Sequence, residues 1–137
     1  MSMYLPPLAL VGLTFFCLFR LGYLRIKAVS AREISLRYFE TYQGESEPEH
    51  LRIHSRHLVN LFEVPVLFYV ITLINILAGV TTIVDISLAW SYVALRFLHT
   101  YIHLTTNPVA LRFRVFVISA LMLAALWVST IAGILRQ

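Results

Sequence analysis

Charge is scarce in this sequence. Only 13% of its 137 residues are Asp, Glu, Lys or Arg, against 59% hydrophobic. That balance, with a mean hydropathy of +0.79, lies outside the range of ordinary soluble domains and calls for lipid as solvent. Cysteine is nearly absent: Cys17 stands alone inside an apolar run, which excludes an intrachain disulfide and any CxxC motif and reads as a buried packing thiol. Glycine-rich phosphate loops and nucleophilic triads are missing, so neither nucleotide chemistry nor hydrolase chemistry has a foothold. There is no internal repeat or low-complexity tract. Ahead of the first apolar run Met1–Leu5 has no basic residue, and no small-residue cleavage pattern closes that run, so it is expected to stay in the mature protein.

What is present is apolar sequence gathered into four runs, near Leu5–Leu24, Leu58–Ala78, Ile83–Leu104 and Phe113–Leu135. A bilayer core about 30 Å thick calls for roughly 20 helical residues per crossing, and each run fits. The expected fold is an all-α membrane protein, a four-transmembrane-helix bundle forming one domain over residues 1–137.

The sizeable polar segment is Arg25–His57, with six Arg or Lys residues and five Glu. Its first part, Ser30–Tyr42, is compatible with a helical extension of the first span, and Gly44, Glu47 and Pro48 end any helix there. Gly79–Thr82 is a tight connection without Lys or Arg, whereas Thr105–Arg112 leads into Arg112 and Arg114. Asn107-Pro108 reads as a turn opening the last helix. By the positive-inside rule the first and third loops are cytoplasmic and both termini lie opposite, with Arg136 dissenting; a bacterial inner membrane is the expected location. The pI near 9.6 does not imply nucleic acid, because the basic residues cluster at helix ends on one side, where anionic lipid headgroups are the simpler partner.

Polar side chains inside spans need a reason, since a charge at the centre of a spanning helix costs about 2.5–3.5 kcal/mol. Arg56, Asn60 and Glu63, at i, i+4 and i+7, project from one face at the head of the second span, just before Pro65. Macrodipole and snorkelling would account for part of this. Arg96, His99 and His103 share a face of the third span, and Tyr92 extends it one turn deeper. Arg96 lies about 12 Å along the axis from Leu104, near the limit of snorkelling, so an internal partner is expected: Glu63, at similar depth, should face it or a shared ligand. Arg112 or Arg114 completes the set, the other being an anchor. Such a pocket suits a small polyanion carrying an amine. Histidine spacing raises a metal reading, through His99 and His103 at i, i+4 and through a second face of His50, His54 and His57. Neighbouring Arg52, Arg56 and Arg96 repel a cation, so no metal is expected.

The arrangement Arg56-x-x-x-Asn60-x-x-Glu63-x-Pro65, followed by Arg96-x-x-His99-x-x-x-His103 and Arg112, resembles the MAPEG family, the membrane-associated proteins in eicosanoid and glutathione metabolism, and within it the microsomal glutathione transferases. The resemblance spans the chain. It implies a homotrimer of four-helix subunits with glutathione bound between adjacent subunits near the cytoplasmic side. By position, Arg25, Arg56, Asn60, Glu63, Arg96, His99 and His103 are its glutathione-binding residues. Arg112, preferred to Arg114 by its spacing from Arg96, is the catalytic residue that activates the thiol. His103 departs from the tyrosine common in the better-known enzymes, and Pro65 sits closer to the glutamate than in several members. The implied activity is glutathione transfer to a hydrophobic small molecule or reduction of a lipid peroxide. The competing readings are a non-catalytic lipid-binding member and a small transporter subunit, which lacks support from broken helices or inverted repeats.

Overall fold

The computed structural model describes residues 2–137, and those residues form helices and turns with no strand. The helices are α1 (Leu5–Ser30), α2 (Tyr38–Thr41), α3 (Glu49–Phe62), α4 (Val64–Ala78), α5 (Ile83–Leu104) and α6 (Val109–Ile134). Three runs are long and apolar enough to cross a membrane: Leu5–Ser30, Glu49–Ala78 and Val109–Ile134. The expected span at Ile83–Leu104 coincides with α5, whose 22 residues cover about 33 Å at 1.5 Å per residue. Asp85, Arg96, His99 and His103 make it more polar than the others, and all four are buried within the bundle.

Local chemistry sets the boundaries. Pro6 and Pro7 open α1, where a missing N–H costs nothing. At its far end the chain closes with Glu33 N–H donating to the Ala28 carbonyl (2.9 Å) and Arg32 N–H to that of Val29 (3.0 Å), Arg32 taking a left-handed φ of 57°. The helix therefore stops at Ser30. The expected extension through Tyr42 is replaced by a turn and the short α2, because Ile34 and Tyr38 fold back onto Ala28 and Leu51 in a small apolar cluster of their own.

A second correction concerns the polar segment Arg25–His57, whose two ends are helical. Arg25–Ser30 belongs to α1 and Glu49–His57 to α3, leaving only residues 31–48 as a connection, which Ser35 N–H closes by donating to Glu45 Oε2 (3.0 Å). α3 runs into α4 through a break at Glu63 (φ −91°, ψ −94°). Pro65 causes it: the residue has no N–H for the carbonyl four positions back, and its ring clashes with that carbonyl.

The opposite end of the bundle is tightly capped. Gly79 at φ 67° terminates α4, and Thr82 and Asp85 form a reciprocal capping box, with Thr82 N–H to Asp85 Oδ2 at 2.8 Å and Asp85 N–H to Thr82 Oγ1 at 3.2 Å. Beyond Pro108, α6 begins at Val109, as the Asn107-Pro108 turn predicts.

Leu10, Phe68, Ile71, Ala89, Tyr92 and Leu126 form the centre of the core, each wholly buried. Phe68 stacks on Tyr92 with ring centroids 4.6 Å apart. Large apolar side chains such as Leu8, Phe19, Leu77 and Leu121 are instead exposed around the whole bundle, a surface that suits acyl chains. The hydroxyls follow the same logic, since hydrocarbon offers no hydrogen bonds. Thr14, Thr72, Thr100 and Ser119 each donate to a carbonyl three or four residues back, at 2.7–3.0 Å.

In lipid, helices associate by packing and interhelical hydrogen bonds rather than by expulsion of water. The buried Asn75 therefore matters. Its Nδ2 donates to Thr130 Oγ1 on α6 (2.9 Å) and its Oδ1 accepts from Thr81 Oγ1 (2.6 Å), tying α4, α6 and the α4–α5 turn together. Asn75→Leu removes both bonds and is expected to destabilise the bundle by about 1–2 kcal/mol, seen as a lower thermal unfolding midpoint in detergent.

Candidate functional site

The polar residues meet at the end of the bundle that carries the 31–48 and 105–108 connections. Arg56, Asn60 and Glu63 stand on one face of α3, and α5 and α6 close against that face. The result is a cavity of about 340 Å³ lined by Ser55, Arg56, Val59, Asn60, Glu63, His99, His103 and Arg112. Six of the residues singled out from the sequence thus share one space. Glu63 is the acidic member of the lining, against two guanidinium groups.

Arg96 is placed differently. It is completely buried behind the cavity, where one terminal nitrogen donates to Asn60 Oδ1 and to the Asn60 carbonyl (3.4 Å). Its guanidinium lies 6.0 Å from the Phe116 ring centroid, while Nε and Nη1 have no partner. Of the two expectations for Glu63, to face Arg96 or to face a ligand it shares with Arg96, the first is not met as a direct pair: Glu63 is exposed at the cavity, and the hydrogen-bond partner of Arg96 is the neutral amide one turn earlier. The geometry explains the preference, because the break at Glu63 turns the chain away while Asn60, still inside α3, points at α5. Tyr92 does lie one turn below, stacked on Phe68.

Arg25 lies outside the lining. Its Nη2 donates to Ser55 Oγ (3.4 Å), its guanidinium lies 5.2 Å from the Phe39 ring centroid, and Ser55 in turn donates to Glu47 Oε1 (3.0 Å). Ser55, which the sequence did not single out, connects it to the cavity wall.

Arg112 and Arg114 separate clearly. Arg114 is exposed and lines none of the cavities at this end. Arg112 is half-buried and donates from Nη1 to Asn107 Oδ1 (2.6 Å). Asn107 is held for this by a left-handed turn at φ 48° whose N–H reaches back to the Ile102 carbonyl (2.9 Å). Arg112 also lines two smaller cavities, one of about 220 Å³ with Val109, Phe113 and Phe116, the other of about 200 Å³ with Glu49, Arg52 and Asn107. It is therefore shared by all three spaces, and in the first of the smaller two Asn60 and His99 stand beside the apolar Val109, Phe113 and Phe116.

The histidines regroup. His50 lies 3.7 Å from Glu33, and His54 accepts from Arg20 Nε (3.0 Å) on the outside of the bundle. His57 turns inward alone, wholly buried, and its Nδ1 sits 3.0 Å from His103 Nδ1. His50, His54 and His57 keep their i, i+4 and i+7 spacing within α3, but of the three only His57, where the helix packs against α5, is buried. Its position next to the Arg56 face was the signal available in the sequence.

The model of the MAPEG family matches residues 3–132; that family includes glutathione transferases, peroxidases and enzymes of eicosanoid synthesis. No curated protein and no solved structure matches the chain. A family match over nearly the whole length, with the Arg56, Asn60, Glu63 and Arg112 side chains gathered on one cavity, leads to one conclusion: the chain belongs to the MAPEG family.

Proposed function

We propose that this protein is a membrane glutathione transferase or peroxidase, with Arg112 as the group that activates the thiol. The observation that carries this reading is that Arg112 lines both the cavity shared with Arg56 and Glu63 and the neighbouring one, where Asn60, His99 and Arg112 stand beside Val109, Phe113 and Phe116. A water-borne thiol held by the polar side chains there would lie against apolar ones that suit a lipid-borne acceptor. The cavity chemistry fits glutathione: the Arg56 guanidinium for a carboxylate, the Glu63 carboxylate for an ammonium, and Asn60, His99 and His103 for the amide groups, which leaves Arg112 for the thiol. Arg25 and Arg96 support the wall through Ser55 and Asn60 rather than from the lining itself.

Glutathione supplies a sulfur nucleophile, and the protein must favour its ionised form. A free thiol titrates near pH 8.5, and lowering that value by two units takes about 2.7 kcal/mol. One charge-assisted hydrogen bond, worth about 1.5–3 kcal/mol, nearly suffices. A guanidinium keeps its charge when partly desolvated, where an ammonium loses it more readily.

In this reading α5 also crosses the membrane, as the third of four spans, the chain is one unit over residues 1–137, the first and third connections face the cytoplasm, and three copies assemble, as family members usually do. The test is titration of glutathione onto the detergent-purified protein. An ultraviolet thiolate band at neutral pH, with conjugation of an apolar electrophile or reduction of a lipid hydroperoxide, supports the enzyme. Binding of lipid with no thiolate band at saturating glutathione overturns it in favour of a non-catalytic lipid-binding protein.

A further inference from the structure

The geometry points to a three-histidine metal site, in which His57 of α3 and His99 and His103 of α5 bind a first-row transition-metal ion of the Zn²⁺ class. The nitrogens these rings offer lie within 4.8 Å of one another, and all three residues are buried. The ring centroids form a compact triangle with sides of 4.9, 5.7 and 5.8 Å. Two ligand nitrogens on a tetrahedral ion with bonds of 2.0–2.1 Å stand about 3.3 Å apart. The His57 and His103 Nδ1 atoms are at 3.0 Å, so an ion replaces the single shared proton with little movement of either ring.

Two further observations point to a ligand. His99 Nδ1 is buried and has no hydrogen-bond partner among the described residues, although a buried imidazole in a finished core ordinarily satisfies both nitrogens. The donor set is also selective: three imidazoles without a carboxylate cage suit Zn²⁺, Co²⁺ or copper and exclude Mg²⁺ and Ca²⁺, which need oxygen. His99 and His103 line the polar cavity, so the fourth coordination position opens toward it.

The arginines oppose a bare cation, and that was the ground for expecting none. The opposition is answered at the fourth position. Arg56 and Arg112 draw an anion to the cavity and Glu63 is already there, so an anionic fourth ligand offsets the ion's charge where guanidinium groups favour it. The inference stands without the glutathione reading.

The experiment uses the full chain in detergent, stripped of metal and without glutathione. Co²⁺ is titrated and followed by its visible ligand-field bands, then Zn²⁺ is added. The expected result is one Co²⁺ per chain with the intense bands of a tetrahedral site, displaced by one equivalent of Zn²⁺. His57→Gln and His103→Gln, each checked for helicity by circular dichroism, should weaken binding at least about tenfold, since even outer partners of metal ligands cost 10–100-fold. The double change His50→Gln and His54→Gln should leave the titration unaltered. Absence of stoichiometric binding to the unsubstituted protein overturns the proposal, as does loss of the site in the His50/His54 protein. Should one buried variant fail to fold, the other carries the same test, and the unsubstituted titration decides in any case.

Discussion

Replacing Arg112 with alanine removes the thiolate band and lowers the rate of conjugation by about 10²-fold, the usual loss when one donor to a developing or fixed anion is deleted. Position gives Arg112 this weight. Arg112 lines the polar cavity and both smaller ones, and the Asn107 carboxamide fixes its orientation. Without it, glutathione bound at Arg56 and Glu63 keeps a thiol titrating near 8.5, mostly protonated at neutral pH. The expected signature is a fall in kcat greater than any rise in KM for glutathione. Arg112→Lys should recover only part of the rate, because an ammonium keeps the charge but not the planar fork. Arg114→Ala serves as the comparison and should change little; a collapse of activity there, with Arg112→Ala active, would reverse the assignment.

The largest effect on stability is expected at Asn60. Arg96 has zero exposure, and Asn60 supplies both of its hydrogen bonds, one from the side chain. Asn60→Leu leaves a buried guanidinium beside an apolar side chain with only the backbone carbonyl as acceptor, a loss of about 1.5–3 kcal/mol. Arg96→Met alone should cost less, because the Asn60 amide borders the cavity and can be hydrated. The double variant Asn60→Leu/Arg96→Met should be more stable than Asn60→Leu by itself, an outcome independent sites would not give. Thermal unfolding in detergent, read by circular dichroism, provides the three midpoints. An unchanged midpoint for Asn60→Leu would show that Arg96 draws its support from elsewhere.

Much of this architecture was legible in the residues. Run length located the helices, since hydrocarbon thickness leaves little choice, and helical spacing put Arg56, Asn60 and Glu63 on one face. The helix ends were less legible. α1 and α3 continue into charged sequence because Arg25, Lys27, Arg52 and Arg56 are good helix formers, and apolar-run length does not register them. Which polar groups meet was least legible. Spacing reports a face but not the rotation of one helix against another, so it puts Asn60 and Glu63 on the same face without telling which of them meets Arg96. For the same reason it cannot tell which of His50, His54 and His57 is buried against α5. The Asn107 turn was visible as a turn, but not as the device that aims Arg112, because that depends on a left-handed backbone which asparagine tolerates and few other residues do.

The interruption at Glu63 gives the protein a joint. Pro65 has no amide proton to lend across it, so α3 is relieved of one rung of the ladder that would lock it to α4. Arg56 and Asn60 thus stand on a segment less firmly tied to the helix that follows, whose Phe68 is stacked on Tyr92. The hydrogen bond from Arg96 to Asn60 fastens the end of that segment to α5 instead, so the shape of the cavity wall depends on it.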